Sequence, residues 1–265
     1  MKQARTLLFA LLLAAPAAAN AWGPNGHRIV GRIAENHLTD EAARAVQCLL
    51  GPEGLAEAAT WADEIRSDPA WRKADPWHYI SIDDNETLET TARNPDGDVL
   101  EAMQRFEAVL RDPQAAPQAK REALRFLVHF VGDVHQPLHV GRRDDRGGNS
   151  IEVTWFSEKT NLHSVWDSHL IENEKLSFSD FAEFIDHPTL HELRTWQGAT
   201  YAEWVRESKD LRARVYQIGD GKLSFQYAYR NMPTVKRRLL QAGVRLAGLL
   251  NSIFASSEPS FPDRE

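Results

Sequence analysis

This sequence of 265 residues has little cysteine and fewer basic than acidic residues. Cys48 is its one cysteine, so no disulfide can form within the chain. Lysine and arginine number 31 against 38 aspartate and glutamate residues, which gives a formal charge of −7 at pH 7. This balance argues against the broad basic face with which proteins bind duplex nucleic acid, although bound cations supply local positive charge by another route.

Transmembrane-length apolar runs, internal repeats and linkers rich in glycine or serine are also missing. The apolar stretch at residues 6–13 is too short to span a bilayer. It follows two positive charges and precedes small residues that end in Ala19-Asn20-Ala21, the pattern of a secretory signal peptide with an A-x-A cleavage site. The sequence therefore predicts a signal peptide over residues 1–21 and one secreted or periplasmic domain over residues 22–265. An uncleaved anchor is the alternative.

Cleavage after Ala21 would change the chemistry of the next residue. Trp22 would become the first residue and would carry a free α-amino group. The loss of Lys2 and Arg5 would take the formal charge from −7 to −9.

Most of residues 22–265 follow the period of an α-helix. Asp40 is the expected N-cap of the first helix, and Pro233 is expected to open the last one. Residues 150–156 alternate as a strand does. The predicted fold is all-α, a single mainly helical domain with a small hairpin or extended loop between residues 140 and 160. Apolar residues three and four apart predict helices at residues 41–50, 55–66, 99–110, 118–134, 162–172, 199–216 and 235–254.

Two His–Asp pairs share one helical spacing. His129 and Asp133 are four residues apart on one predicted helix, as are His163 and Asp167 on another, so each pair projects from one helix face. A single such pair is a common solvated surface interaction. Two pairs flanking a Gly-Gly-Asn loop, with His139 just beyond the first helix, favour a metal site, because imidazole and carboxylate are ligands of catalytic zinc.

Two further groups of polar residues lie upstream. Asp63 and Arg66 in "WADEIR" are three residues apart, and His78 and Tyr79 stand together in "WHYI". Each has a purely structural explanation: Asp63 could simply pair with Arg66, and His78 and Tyr79 could belong to the core.

The order of these motifs resembles that of the zinc-dependent, single-strand-specific nucleases of fungi, plants and bacteria, which share a helical fold with bacterial zinc phospholipase C. The resemblance covers residues 22 to about 170. It implies an endonuclease that hydrolyses single-stranded DNA and RNA to 5′-phosphorylated products and also removes 3′-phosphates from mononucleotides. The matching motifs are Trp22 with His27, W-A-D-x-I-R, W-H-Y-I, H-F-x-G-D-x-x-Q-P-L-H, G-G-N and N-L-H-x-x-W-D.

The resemblance also implies three zinc ions and their ligands. One ion would bind Asp63, His78, His129 and Asp133. A second would bind Trp22, His27 and Asp133, which bridges the pair. The third would bind His139, His163 and Asp167. Trp22 would contribute its α-amino nitrogen and carbonyl oxygen, so signal cleavage would create the site.

Three roles in catalysis and binding follow from the same resemblance. Asp63 would orient or deprotonate the attacking water, Arg66 would bind and stabilise the phosphoryl oxygens, and Tyr79 would stack on a nucleobase. Ser81 stands where some fungal relatives have a carboxylate that reads the base edge, which leaves base preference open. The implied partners are single-stranded nucleic acid and 3′-nucleotides, with no stable membrane association, and we expect a monomer.

Two other functions stay open at this point. A zinc phospholipase C would use the same three-metal core on phospholipid head groups, but "WADEIR", Tyr79 and the short spacing from Trp22 to His27 favour the nuclease. No amphipathic membrane helix is evident in the sequence. A zinc-storage protein without enzymatic activity would be expected to close its sites with four ligands each, whereas nine ligand residues for three ions leave open positions.

Overall fold

Helices make up most of the structure, as the apolar periods predict. The structure, a computed structural model, describes residues 22–255, so the predicted signal peptide at residues 1–21 lies outside the described residues and stays a prediction. The all-α class and the mainly helical domain are confirmed, and the short strands form two small sheets. No helix within residues 22–255 is both long and apolar enough to cross a membrane.

The chain alternates longer helices with short helical turns and strands. The α-helices are α1 (Pro24–Asn36), α2 (Asp40–Leu50), α3 (Leu55–Ala58), α4 (Trp61–Glu64), α5 (Val99–Arg111), α6 (Pro117–His135), α7 (Leu162–Ser164), α8 (Leu170–Glu172), α9 (Phe178–Ile185), α10 (Leu190–Gln197), α11 (Tyr201–Val215) and α12 (Phe225–Phe254). Short 3₁₀ helices cover Ile65–Ser67, Pro69–His78 and Pro137–His139, and a π-helix, Val165–His169, joins α7 to α8. The strands are β1 (Ile80–Ser81), β2 (Val140–Gly141), β3 (Glu152–Trp155), β4 (Glu158–Asn161) and β5 (Lys222–Leu223).

The core is built around α6 and α12. Every residue of α6 from Phe126 to His135 is buried, because this helix is apolar on nearly all sides. α12 packs against α1 and α6, and α5 also packs against α6. A helix enclosed in this way places its few polar side chains, His129 and Asp133 among them, inside the protein. There they need hydrogen-bond partners or a cation.

The two small sheets position loops rather than form a core layer. β1 pairs in parallel with β2, with Ile80 opposite Val140. His78 and His139 each end the helical turn just before one of these strands. The pairing of the strands therefore brings the two histidines close together. β3 and β4 form an antiparallel hairpin, and β5 adds in parallel to β3. The predicted hairpin between residues 140 and 160 is thereby confirmed, with its last strand ending one residue later.

Three predicted helix features are wrong for local reasons. The N-cap of α2 is Thr39, whose side chain accepts from the backbone N–H of Ala42, rather than Asp40. The predicted helix at residues 55–66 is broken at Thr60, whose hydroxyl lies 2.7 Å from Glu64 Oε1 and 3.1 Å from the Glu57 carbonyl and competes with the helical pattern.

The last helix is the third correction, because α12 begins at Phe225 and contains Pro233, which was expected to open it. The proline removes the hydrogen bond to the carbonyl of Tyr229. Tyr229 is 87 % exposed, so water can take that bond.

An arginine–glutamate network ties the C-terminal end of α6 to α11 and α12. Glu207 forms ion pairs with Arg238 and Arg245 at 2.7 and 2.6 Å. Arg245 Nη1 donates to His135 Nε2 at 2.9 Å, and Arg238 Nε donates to the His135 carbonyl at 3.0 Å. Burial, with both arginines nearby, lowers the pKa of His135 well below its ordinary value, so the ring is neutral and accepts. The network therefore fixes α6 at His135, which lies two residues beyond Asp133.

Candidate metal centre

Two helical segments carry the His–Asp pairs predicted from the sequence. On α6, His129 Nε2 and Asp133 Oδ2 lie 3.4 Å apart. In the segment from α7 to α8, His163 Nε2 and Asp167 Oδ2 lie 3.2 Å apart. Asp167 belongs to the π-helix, an irregularity that is frequent at functional sites. All four side chains are buried, so neither pair is a solvated surface interaction.

The first predicted ligand set comes together beside α6. His78 Nδ1 lies 3.1 Å from His129 Nε2 and 3.0 Å from Asp133 Oδ2. Asp63 Oδ1, from α4, lies 3.9 Å from His129 Nε2, and its side chain is 19 % exposed. Three separate elements therefore bring these four side chains to one small space.

The second predicted set involves the other oxygen of Asp133. His27, in the first turn of α1, places Nε2 3.4 Å from Asp133 Oδ1, and neither atom has a hydrogen-bond partner within residues 22–255. The His27 ring stacks on the ring of His129 at 3.8 Å. It also lies so close to Gly132 that a Cβ added there would be 2.8 Å from His27 Nδ1. Asp133 thus presents one oxygen to each set.

Trp22 opens the described part of the chain in a fully buried position. The next residue, Gly23, donates its backbone N–H to the carbonyl of Asp167 at 2.7 Å. Pro24 then begins α1, which carries His27. The start of this segment is therefore anchored beside the metal-ligand candidates. The free α-amino group that cleavage would give Trp22 stays a prediction, because residue 21 lies outside the described residues.

The third predicted set lies where β2 begins. His139 Nε2 is 3.2 Å from His163 Nε2 and 3.9 Å from Asp167 Oδ1. The possible ligand atoms of His139, His163 and Asp167 all lie within 4.8 Å of one another, and all three side chains are buried. The structure thus brings together all the predicted histidine and aspartate ligands in three neighbouring groups.

The histidine tautomers make these groups suitable for a cation. In three rings Nδ1 lies 2.6–2.7 Å from a backbone carbonyl oxygen, that of Ala59 for His129, His78 for His139 and Gly147 for His163. A carbonyl only accepts, so Nδ1 carries the proton and Nε2 of the neutral ring has a lone pair. Nε2 of His139 and Nε2 of His163 therefore face each other at 3.2 Å, with the Asp167 carboxylate beside both. Ligand atoms on a tetrahedral zinc ion are roughly 3.3 Å apart, which matches this spacing.

Burial governs the charges in the centre. It lowers the pKa of His27 and His78 well below the ordinary value, and His129 adds to both shifts, so these rings are neutral and able to bind metal. Burial also raises the pKa of Asp133 well above its usual range, and it raises the pKa of Asp167 to about 6 although His163 opposes the shift. Neutral imidazoles beside buried carboxyl groups that resist ionisation are the arrangement that a bound cation stabilises.

Gln136 is a functional candidate that was not predicted from the sequence. Its Oε1 accepts from the Leu138 backbone N–H at 2.5 Å, so its amide NH₂ faces Asp167 Oδ1 and donates to it at 2.6 Å. This bond orients the carboxylate so that Oδ2 faces His163. The only signal in the sequence is its position inside the motif that carries Asp133 and His139.

A cavity of about 270 Å³ opens onto the histidines. Arg66, Tyr79 and His139 are among its lining residues. Arg66 Nη1 lies 3.4 Å from Asp63 Oδ1, and its Nε lies 3.4 Å from Asp75 Oδ1, so two carboxylates hold the guanidinium. Because Tyr79 is 40 % exposed, its side chain is not an ordinary part of the core. We refer to this space as the metal cavity.

Comparison with known proteins identifies the family to which the chain belongs. A family model described as S1/P1 nuclease matches residues 22–255. The chain belongs to the S1/P1 nuclease family. Endonuclease 4 of Arabidopsis thaliana is 34 % identical over 268 residues, which cover 89 % of this chain and 90 % of the plant protein. Nuclease S1 of Aspergillus oryzae is 28 % identical over 272 residues, 90 % of this chain and 93 % of the fungal protein.

Nuclease P1 of Penicillium citrinum is another relative, 35 % identical over 160 residues that cover 56 % of this chain and 58 % of its own length. The resemblance inferred from the motifs is thereby confirmed. In this S1/P1 family member the three His–Asp groups, the metal cavity and Arg66 all fall within the matched residues.

Proposed function

We propose that the chain is a zinc-dependent endonuclease that hydrolyses phosphodiester bonds of single-stranded DNA and RNA to 5′-phosphorylated products, with 3′-nucleotidase activity. The observation that carries the proposal is the convergence of three His–Asp groups below a cavity lined by Arg66 and Tyr79. Membership of the S1/P1 nuclease family supports it, and the named relatives are nucleases or endonucleases.

Three zinc ions would account for the three groups. The first would be held by Asp63, His78, His129 and Asp133, the second by Trp22, His27 and Asp133, and the third by His139, His163 and Asp167. The converging nitrogen atoms of His139 and His163 and the partnerless atoms His27 Nε2 and Asp133 Oδ1 support this assignment. Bound zinc supplies Lewis-acid stabilisation of negative charge and makes water easier to deprotonate near neutral pH.

The protein's own side chains position the substrate and move the proton. Asp63, the partly exposed member of its group, would orient the attacking water and accept its proton. Arg66 would donate from its planar fork to the non-bridging phosphoryl oxygens, where charge increases as the water oxygen attacks. The bond between phosphorus and O3′ breaks and O3′ takes up a proton from solvent, which leaves a 3′-hydroxyl on one product and a 5′-phosphate on the other.

Tyr79 would account for the proposed preference for unpaired strands. Its exposed ring at the metal cavity can stack on any base, but only on a base that has left the duplex. Stacking requires no basic groove, which agrees with the formal charge of −7. No observation favours the phospholipase alternative, since the family match is to nucleases.

The cellular setting of this activity is part of the same proposal. The predicted signal peptide would direct the chain to the periplasm or the exterior, where it would act as a monomer on 3′-nucleotides and single strands. The sequence pattern at residues 1–21 supports export.

Replacing Arg66 by alanine tests the enzymatic proposal against zinc storage. We expect kcat/KM on single-stranded DNA to fall by about 100-fold to 1,000-fold, because one preorganised donor to the phosphoryl oxygens is lost. Zinc content, measured by elemental analysis, should not change, since Arg66 is not among the proposed ligands. Arg72→Ala, an exposed arginine on the neighbouring 3₁₀ helix, is the control and should retain full activity. Unchanged hydrolysis in Arg66→Ala would remove this residue from the mechanism.

A second experiment tests whether Trp22 is a ligand. A chain that starts at Trp22 is compared with one that carries an additional methionine before it. We expect the extended chain to hold about one zinc ion fewer and to lose most of its activity, because the α-amino ligand is replaced by an amide that binds metal poorly. Equal zinc content and equal activity would exclude the N-terminal ligand.

A further inference from the structure

A second cavity adjoins the metal cavity and shares part of its wall. It has a volume of about 260 Å³, and Tyr79, Ser81 and Arg143 line both spaces. None of the proposed zinc ligands lines this second space, which we call the outer cavity. The outer cavity therefore lies next to the reaction site, across a wall that the two spaces share, but outside the metal centre.

Hydrogen bonds hold the walls of the outer cavity in place. Arg143 donates to the carbonyls of Ser81 and Ala92, both at 3.1 Å, and thereby joins the two sides of the loop that forms the wall. Arg93 makes a two-point ion pair with Asp98, which is buried and caps α5. The cavity is thus preformed and needs no rearrangement to receive a ligand.

The chemistry of the lining suits a flat heterocycle. The ring of Tyr79 and the exposed Pro95 offer apolar surfaces. Asn94 Oδ1 accepts from the backbone N–H of Asp96 at 3.0 Å, which leaves the two Nδ2 protons for a ligand that carries acceptor atoms. The volume is below the range of roughly 300–1,000 Å³ typical of pockets for whole drug-sized molecules, so one planar ring system is the fitting occupant.

We propose that the outer cavity binds the base of the nucleotide adjoining the one in the metal cavity, on the side away from the scissile phosphate. The inference rests on the proposed nuclease function. Because Tyr79 and Arg143 line both spaces, the two bases of adjoining nucleotides would lie on either side of this shared wall, with the strand following it. A trinucleotide then gains a contact that a dinucleotide lacks, and the enzyme recognises a short run of unpaired bases rather than one.

The test compares thymidine dinucleotide and trinucleotide as substrates of the zinc-loaded protein. We expect KM for the trinucleotide to be about 10-fold lower, as one additional stacked base implies, with kcat little changed. Asn94→Asp should remove this difference, because the carboxylate keeps the acceptor for Asp96 N–H, loses the donors and repels the strand. Ala92→Leu should also remove it by filling the cavity. Neither variant should alter KM for the dinucleotide.

The matched control is Asn85→Asp, which makes the same charge change in the same loop outside both cavities. It should keep the 10-fold difference. Binding of a non-hydrolysable phosphorothioate trinucleotide, measured by calorimetry, should weaken about 10-fold in Asn94→Asp and in Ala92→Leu but not in the control. Equal KM values for the two substrates in the unmodified enzyme, or an unchanged difference in both variants, would overturn the outer-cavity proposal alone. Failure to cleave either substrate would instead contradict the proposed function.

Discussion

Asp133→Asn should lower hydrolysis of single-stranded DNA by about 1,000-fold or more, because loss of metal-based charge stabilisation costs several kcal/mol in the transition state. Asp133 is the one carboxylate that presents an oxygen to each of two proposed zinc ligand sets, 3.4 Å from His27 Nε2 and 3.0 Å from His78 Nδ1. An asparagine keeps the shape but offers a single, neutral oxygen. The variant should therefore bind about one zinc ion where the parent binds about three.

Elemental analysis and initial rates on the same preparation measure both effects. Asp167→Asn is the matched control, since Asp167 belongs to the third set only and should cost about one ion. Retention of full zinc content and activity by Asp133→Asn would contradict the proposed bridge.

The same substitution should have the opposite effect on the metal-free fold. Burial, together with the charges of Asp63 and Asp167, raises the pKa of Asp133 well above its usual range. A raised carboxyl pKa means that this group favours folding at low pH and opposes it as pH rises from the unfolded pKa through the folded one. In chelator at neutral pH, Asp133→Asn should therefore melt at the same temperature as the parent or higher. A lower melting temperature in chelator would show that the carboxylate is stabilised without metal.

Glu207→Gln should reduce the free energy of unfolding by about 2 kcal/mol at pH 7, since it leaves two buried arginines without a counter-ion while water screens part of the interaction at the 38 % exposed Glu207. Burial alone would raise the pKa of Glu207, but the hydrogen bond from Arg245 and the charges of Arg238 and Arg245 outweigh it, and the pKa lies below its ordinary value. A lowered pKa contributes stability above the unfolded value, about 4.3, and that stability is lost as pH falls through the folded value. The deficit of the variant should accordingly shrink in acid.

Urea unfolding at pH 7 and below pH 4 checks both parts of this prediction. Glu183→Gln, an exposed position on α9, is the control and should stay within about 0.5 kcal/mol of the parent at both pH values. Equal stability of Glu207→Gln and the parent at pH 7 would mean that water replaces the ion pairs, which would contradict the role assigned to the network.

The sequence predicts the fold well where the physical signal is periodic. The apolar period of residues 118–134 predicts α6 to within one residue at each end, because buried apolar residues recur from Ala123 to the end of the helix. Periodicity fails where a local bond or a tertiary contact decides the outcome. Thr60 interrupts a predicted helix through its own hydroxyl, and Pro233 is tolerated inside α12 because Tyr229, whose carbonyl loses its helical partner, is exposed.

The sequence predicts the ligands of the candidate site better than it predicts the residues that hold those ligands in position. The spacing of His129 and Asp133 on one helix follows directly from residue numbers, and the structure brings the other predicted ligands around it. Gln136 and Gly132 could not be assigned in this way. Their roles depend on a hydrogen bond to a distant carboxylate and on the approach of a ring from α1, both of which exist only after folding.

The three rings of His129, His139 and His163 donate to main-chain oxygens rather than to side chains. Every amino acid carries that oxygen, so the residue at position 59 can change without disturbing the imidazole of His129, whereas His78 is itself a proposed ligand and Gly147 has a positive φ that favours glycine. A directed-evolution library at Ala59 should for this reason retain metal loading across many small residues. At Ala59, selection would preserve the backbone conformation rather than the type of residue.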